Sequence, residues 1–301
     1  MYVTMEIFSG RPNPGWRLSP QQAQQLADGL AGRPARTGAA ETIERLGFRG
    51  FVVEREPGDP LLPPGVLRRL RIAPTPAVSA LVAVEAPDLT RSLLEAAAAA
   101  LDPAVVEAAA SQVAAAAADP PKAAPAQPRG AARTRRAKPE QPPESEAGRR
   151  IAALPEGVAF VSPYRPAFWN SAPVIATNNC YNYATNFVSG TVAQPGRWAG
   201  RIYDAFLCDA VRTAAIADGC RPDLDGVARV VALAVWPGFD FHWWRLHPDG
   251  MWAHKLGLSI ARNFDNAGRV IAGNLTPETC DRRPYTDFCG YFFVPLGVQV
   301  R

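Results

Sequence analysis

All three histidines of the chain, His242, His247 and His254, fall within thirteen positions of FHWWRLHPDGMWAHK (241–255). Imidazole is the side chain best suited to proton transfer near neutral pH, and it is a common metal ligand. A thiol, Cys180, stands 62 positions before His242. A thiolate beside an imidazole can attack an amide or ester carbonyl, and the imidazolium can then protonate the leaving group. A cysteine with two histidines could equally bind zinc, with Asp240 or Asp265 as a fourth ligand, although no close Cys-x-x-Cys or His-x-x-x-His pair accompanies them.

Two local elements must position these groups. TNNCYNYATNFVSG (177–190) opens on residues that cap helices, so Thr177, Asn178 or Asn179 serves as N-cap and Cys180 falls in the first turn. The helix dipole and the free N–H groups there favour a thiolate. Tyr183, Ala184 and Phe187 then lie at helical spacing toward the core. In the histidine stretch, Pro248-Asp249-Gly250 is a turn signal. A three-residue loop pairs His247 with Met251, Leu246 with Trp252, and Trp244 with His254. That register puts His242 and His254 on one face as diagonal neighbours and leaves His247 on the opposite face as a surface bystander.

CYNYA (180–184) resembles the CHAP amidase signature Cys-Thr-Trp-Tyr-Ala at Cys180, Tyr183 and Ala184, and HWWRLHPDGMWAHK is similar in plan to the NlpC histidine hairpin. The resemblance covers about 80 residues of the second half. It implies a papain-like cysteine amidase or peptidase fold, with Cys180 as nucleophile, His242 as base and His254 orienting it. His254 as base, oriented by Asp265 or Asp287, is the alternative. Tyr183, Trp244 and Trp252 are the candidate substrate-contacting residues, with core packing the other reading of the two tryptophans. The implied partner is a peptide or small amide substrate, and no cofactor is expected. A non-catalytic binding module is the remaining reading.

The rest of the chain sets the frame. Its 301 residues, 48% hydrophobic, suffice for two domains, and the net charge of +4 argues for no particular partner class. Residues 1–118 read as a small α/β module. Strands are expected at 1–8, 49–54 and 80–85, with helices at 20–30, 88–101 and 103–118. SGRPNP (9–14) reads as a rigid turn, or as a loop displaying Arg11 to an anion. This module is a candidate docking site for a protein partner. Residues 119–150 are rich in Pro, Ala and charge and read as a disordered linker. Residues 151–301 form the candidate catalytic domain, with a helix at 203–218 holding Cys208 as a small buried hydrophobe and a buried strand at 227–236. The expected fold class is α+β, a helix-borne cysteine packed on an antiparallel sheet.

No apolar run reaches the ~18 residues of a membrane helix, and nucleic acid is not an expected partner. The N-terminal stretch lacks the pattern of a secretory signal, which predicts a cytoplasmic protein, other export routes aside. Its five cysteines are then expected as thiols.

Overall fold

The computed structural model describes residues 1–34, 36–38, 44–60, 69–73, 79–118, 162–223 and 226–301. The expected linker at 119–150 lies outside the described residues. The chain divides into two compact units, Met1–Phe8 with Pro12–Ala123, and Ser9–Arg11 with Ala124–Arg301. Each joins helices to its own sheet, and the fold class is α+β.

In the first unit the described strands are β1 (Tyr2–Glu6), β2 (Gly15–Arg17), β3 (Arg36–Gly38), β4 (Gly50–Glu54), β5 (Arg69–Ala73) and β6 (Ser79–Glu85). They form one sheet in the order β2-β1-β4-β5-β6-β3, with only β5–β6 parallel. Helix α1 (Pro20–Leu30) starts where Ser19 and Gln22 cap each other reciprocally, and it buries Ala23, Leu26 and Leu30. Helices α2 (Pro87–Ala98) and α3 (Pro103–Ala118) follow. Sequence reasoning missed β2, β3 and β5. In β5 the obstacle was Arg71, which is buried and ion-paired with Glu6 and Glu44, whereas a charged residue in a short segment reads as solvent-facing.

The second unit carries short helices α4 (Pro166–Trp169), α5 (Val174–Thr177) and α6 (Cys180–Thr185), then α7 (Cys208–Ala217). Its strands are β7 (Ala228–Trp236), β8 (Asp240–Leu246), β9 (Trp252–Lys255), β10 (Ala261–Arg262) and β11 (Asp287–Pro295). They pair in the order β10-β9-β8-β7-β11, antiparallel throughout. Every residue of β8 is buried, so both faces of the sheet are covered. On one face α6 and α7 pack Cys180, Tyr181, Ala184 and Val211 onto Leu233, Phe241 and Trp243. Strand alternation turns His242 and Trp244 to the other face.

Helix α7 begins at Cys208 rather than near 203, and that cysteine is not a buried free thiol. It forms a disulfide with Cys289. Cys289 is the extra residue of a bulge in β11, between the pairs Phe288↔Ala234 and Gly290↔Leu233. A bulge re-aims a side chain that regular pairing would hold on the sheet face. The expectation of five thiols is corrected accordingly; Cys180, Cys220 and Cys280 are free and buried.

Candidate functional site

Asn179 is the N-cap of α6. Its side chain accepts from the Asn182 N–H at 3.2 Å, and the Asn182 side chain accepts from the Asn179 N–H at 3.0 Å. Cys180 therefore occupies the first helical position, as its surroundings predict. Its environment is the reverse of an activated thiol. The residue is 0% exposed, and its Sγ faces the Phe241 carbonyl at 3.9 Å. Burial pushes the Cys180 thiol well above its ordinary range, and the Asp240 carboxylate adds to the effect. Six residues of helix do not offset the loss of hydration.

The histidine hairpin has the expected register. Gly250 adopts φ +80°, the His247 N–H donates to the Met251 carbonyl, and Trp244 pairs with His254. His242 Nε2 and His254 Nδ1 are 2.7 Å apart. The other ring nitrogen of His254 lies 3.0 Å from the Phe264 carbonyl and 3.2 Å from Arg262 Nε. Burial, then the Arg262 charge, holds His254 well below the usual imidazole range, so the ring is neutral. His242 and His254 meet each other, but Cys180 packs with Phe241 and Trp243 on the opposite face of the sheet. The nucleophile–base contact is therefore not formed.

The third histidine departs from expectation. His247 is 1% exposed, with Nε2 2.8 Å from the Tyr183 hydroxyl and Nδ1 2.7 Å from the Ser162 carbonyl. Burial, then the Arg245 charge, lowers its pKa to about 3. It is an internal tie between α6 and the segment before α4, not a surface bystander.

The remaining candidates serve structure as well. Asp265 does not orient His254: it accepts from the Ala267, Arg269 and Asp281 N–H groups and pairs with the Arg269 guanidinium, closing the 265–268 turn. Asp287 is exposed at the first position of β11, with its carboxylate bound by the Thr286 hydroxyl. Trp244 stacks on His254, Trp252 packs on Tyr291, and Tyr183 packs on Trp169, all three buried. Among the described residues no group of three or more His, Cys, Asp or Glu side chains is placed to hold a metal ion. The zinc alternative fails on the same separation of Cys180 from the histidines.

Sequence reasoning missed the buried cations of this hairpin. Arg245 donates to the Tyr183 carbonyl at 2.6 Å and lies over the Tyr183 ring, and burial lowers its pKa to about 10. Lys255 donates to the carbonyls of Ile175 and Gly257. Tyr183 and Ile175 stand in short helices whose C-terminal carbonyls attract cations.

It also missed Asp240 as an anchor. This fully buried carboxylate accepts from the N–H groups of Ser9, Gly10 and Arg11 and from the Tyr285 hydroxyl. SGRPNP is the rigid turn its residue types predict, here between β1 and β2, and not an anion display: Ser9–Arg11 folds within the second unit. Glycine followed by a cation in a turn-rich run was the available signal, and it named no partner.

A disulfide-bridged α+β protein whose histidines and helix-start cysteine are internal ties is the class that this geometry defines. Over 142 residues the chain is 44% identical to insoluble matrix shell protein 1 of Ruditapes philippinarum, an alignment covering 46% of this chain and 90% of that protein. The chain belongs to the family of that shell protein. No protein-family model matches the chain, and no solved structure matches it. Two expectations are corrected by this relationship. The hydrolase, amidase or thiol protease reading gives way, since the relative is described as a matrix protein of shell. The cytoplasmic location gives way too, because shell matrix is no cytosolic compartment and because the Cys208–Cys289 bond is one that a reducing cytosol disfavours.

Proposed function

We propose that this chain is a non-catalytic structural protein of an insoluble extracellular matrix. The observation that carries this reading is the separation of Cys180 from the His242–His254 pair by the sheet itself, with all three side chains buried. Groups that could do thiol chemistry are here spent on internal contacts. The name of the shell relative supports the matrix assignment, and a disulfide closing 81 residues supports an oxidising compartment.

The test is partition. Fluorescently labelled protein is mixed with the insoluble matrix of Ruditapes philippinarum shell and sedimented, with serum albumin as control. Retention of most of the protein in the pellet through a high-salt wash is the expected result. Recovery in the supernatant together with albumin would overturn the matrix assignment.

A further inference from the structure

The loop between α6 and α7 holds an exposed tryptophan in a fixed frame. Asp218, the buried C-cap of α7, accepts from the Gly196 N–H at 2.7 Å and from the Ala199 N–H at 3.1 Å. One carboxylate thus grips the loop on both sides of Arg197 and Trp198. The Tyr181 hydroxyl donates to that carboxylate at 3.1 Å. The Arg201 N–H closes the loop onto the Gly196 carbonyl at 2.7 Å. A Cβ at position 196 would overlap the Arg201 carbonyl, so only glycine fits there. The start of the loop is tied as well, the Gln194 N–H donating to the Arg301 carbonyl at 2.9 Å.

This frame displays a particular chemistry. Trp198 is 49% exposed, and Arg197 and Arg201 beside it are exposed too. Among the described residues neither guanidinium has an ion-pair or hydrogen-bond partner. The Arg301 guanidinium lies 5.8 Å from the Trp198 ring centroid, within cation–π range. VAQPGRWAGRIY (192–203) contains no carboxylate side chain. Tryptophan and arginine are the residue types that most often carry binding energy at interfaces, and a loop ordered in advance is spared the entropy loss of ordering on binding. A guanidinium fork matches the paired oxygens of a sulfate or carboxylate. An indole face matches a flat ring lined with C–H groups. A polysaccharide bearing sulfate or carboxylate groups presents both on one rigid repeating unit, whereas an acidic peptide carries its charges on flexible stems without such a face. We propose that the Gly196–Arg201 loop binds an acidic polysaccharide, with Trp198 stacked on a sugar ring and Arg197 and Arg201 on its anionic groups. This deepens the matrix reading above and rests on it for the extracellular setting, where nucleic acid is the less fitting polyanion.

The experiment measures binding of the full chain to immobilised dextran sulfate and carboxymethyl dextran, with neutral dextran as control. Wild type should bind both charged polymers and not the neutral one, more weakly as salt rises. Trp198→Ala, which keeps the net charge, should weaken binding about tenfold, and Arg197→Ala combined with Arg201→Ala at least roughly tenfold. Arg17→Ala combined with Arg91→Ala removes the same charge from exposed positions of the first unit and should change binding less than about twofold. All five side chains are exposed, so the urea midpoint of each variant should match wild type. No binding to either charged polymer, full binding by Trp198→Ala, or an equal loss in the Arg17 and Arg91 variant would overturn the proposal. So would tighter binding to single-stranded DNA or polyglutamate through the same residues. Matrix partition that persists without dextran sulfate binding would overturn the role of the loop and leave the matrix reading standing. Loss of partition with dextran sulfate binding intact would remove the matrix reading alone.

Discussion

His242 Nε2 and His254 Nδ1 stand 2.7 Å apart beside the sheet, their rings nearly perpendicular and both in contact with Trp244. A pair so enclosed holds β8 to β9 through a hydrogen bond shielded from bulk solvent. Replacing His242 with Phe, a somewhat larger apolar ring, leaves His254 Nδ1 unsatisfied. The expected loss is about 1–3 kcal/mol in urea unfolding, with an unchanged denaturant slope. A change below ~0.5 kcal/mol would mean that the bond adds nothing to stability.

The same burial sets a pH dependence. His254 and His247 have folded pKa values below the unfolded 6.5, so the folded state favours the neutral rings. Their contribution is complete above about pH 6.5 and is lost as pH falls toward the folded values. By pH 5 His247, lowered to about 3, should have withdrawn about 2 kcal/mol, and His254 acts in the same direction. Asp240 and Asp218, raised by burial, act in the opposite sense at the acid end. Thermal melts between pH 7.5 and 5 should show a falling Tm that His247→Gln makes shallower.

The Cys208–Cys289 bond closes a loop of 81 residues between α7 and the bulge of β11. Its reduction, or Cys208→Ser, should lower stability by about 2–5 kcal/mol, read as a drop in Tm under non-denaturing reductant. An unchanged Tm would contradict a stabilising role.

Cys180 should behave as a small apolar core residue. Cys180→Ala removes one buried sulfur and should cost about 1 kcal/mol. Cys180→Ser, which preserves shape but adds a hydroxyl to the cluster around Phe241 and Trp243, should cost more, about 1–3 kcal/mol. Stability in the order Ser above Ala would contradict the apolar environment.

Much of the second unit was legible where local chemistry decides. The Asn179 cap, the Pro248-Asp249-Gly250 turn and the register that brings His242 to His254 all follow from residue types and strand period. What residue order could not supply was the face on which α6 packs. The same period that joins the two histidines turns Phe241 and Trp243 the other way, and α6 covers that side. Cys180 was thereby paired with residues behind the sheet. Arg245, Lys255 and Asp240 were illegible for a related reason. Their partners are backbone groups, the carbonyls of Tyr183 and Ile175 and the N–H groups of Ser9 to Arg11, and backbone groups carry no sequence signature. The disulfide was hidden because Cys289 sits at a bulge of β11, where strand period does not foretell which way a side chain points.

The measurement that bears most directly on a non-catalytic Cys180 is iodoacetamide labelling of the folded protein across pH 5–9, quantified by peptide mass and compared with the urea-unfolded chain. Cys180 should remain unlabelled in the native state at every pH and label fully once unfolded. Rapid native labelling with a midpoint below the ordinary thiol value near ~8.5 would reveal an accessible thiolate and contradict the assignment.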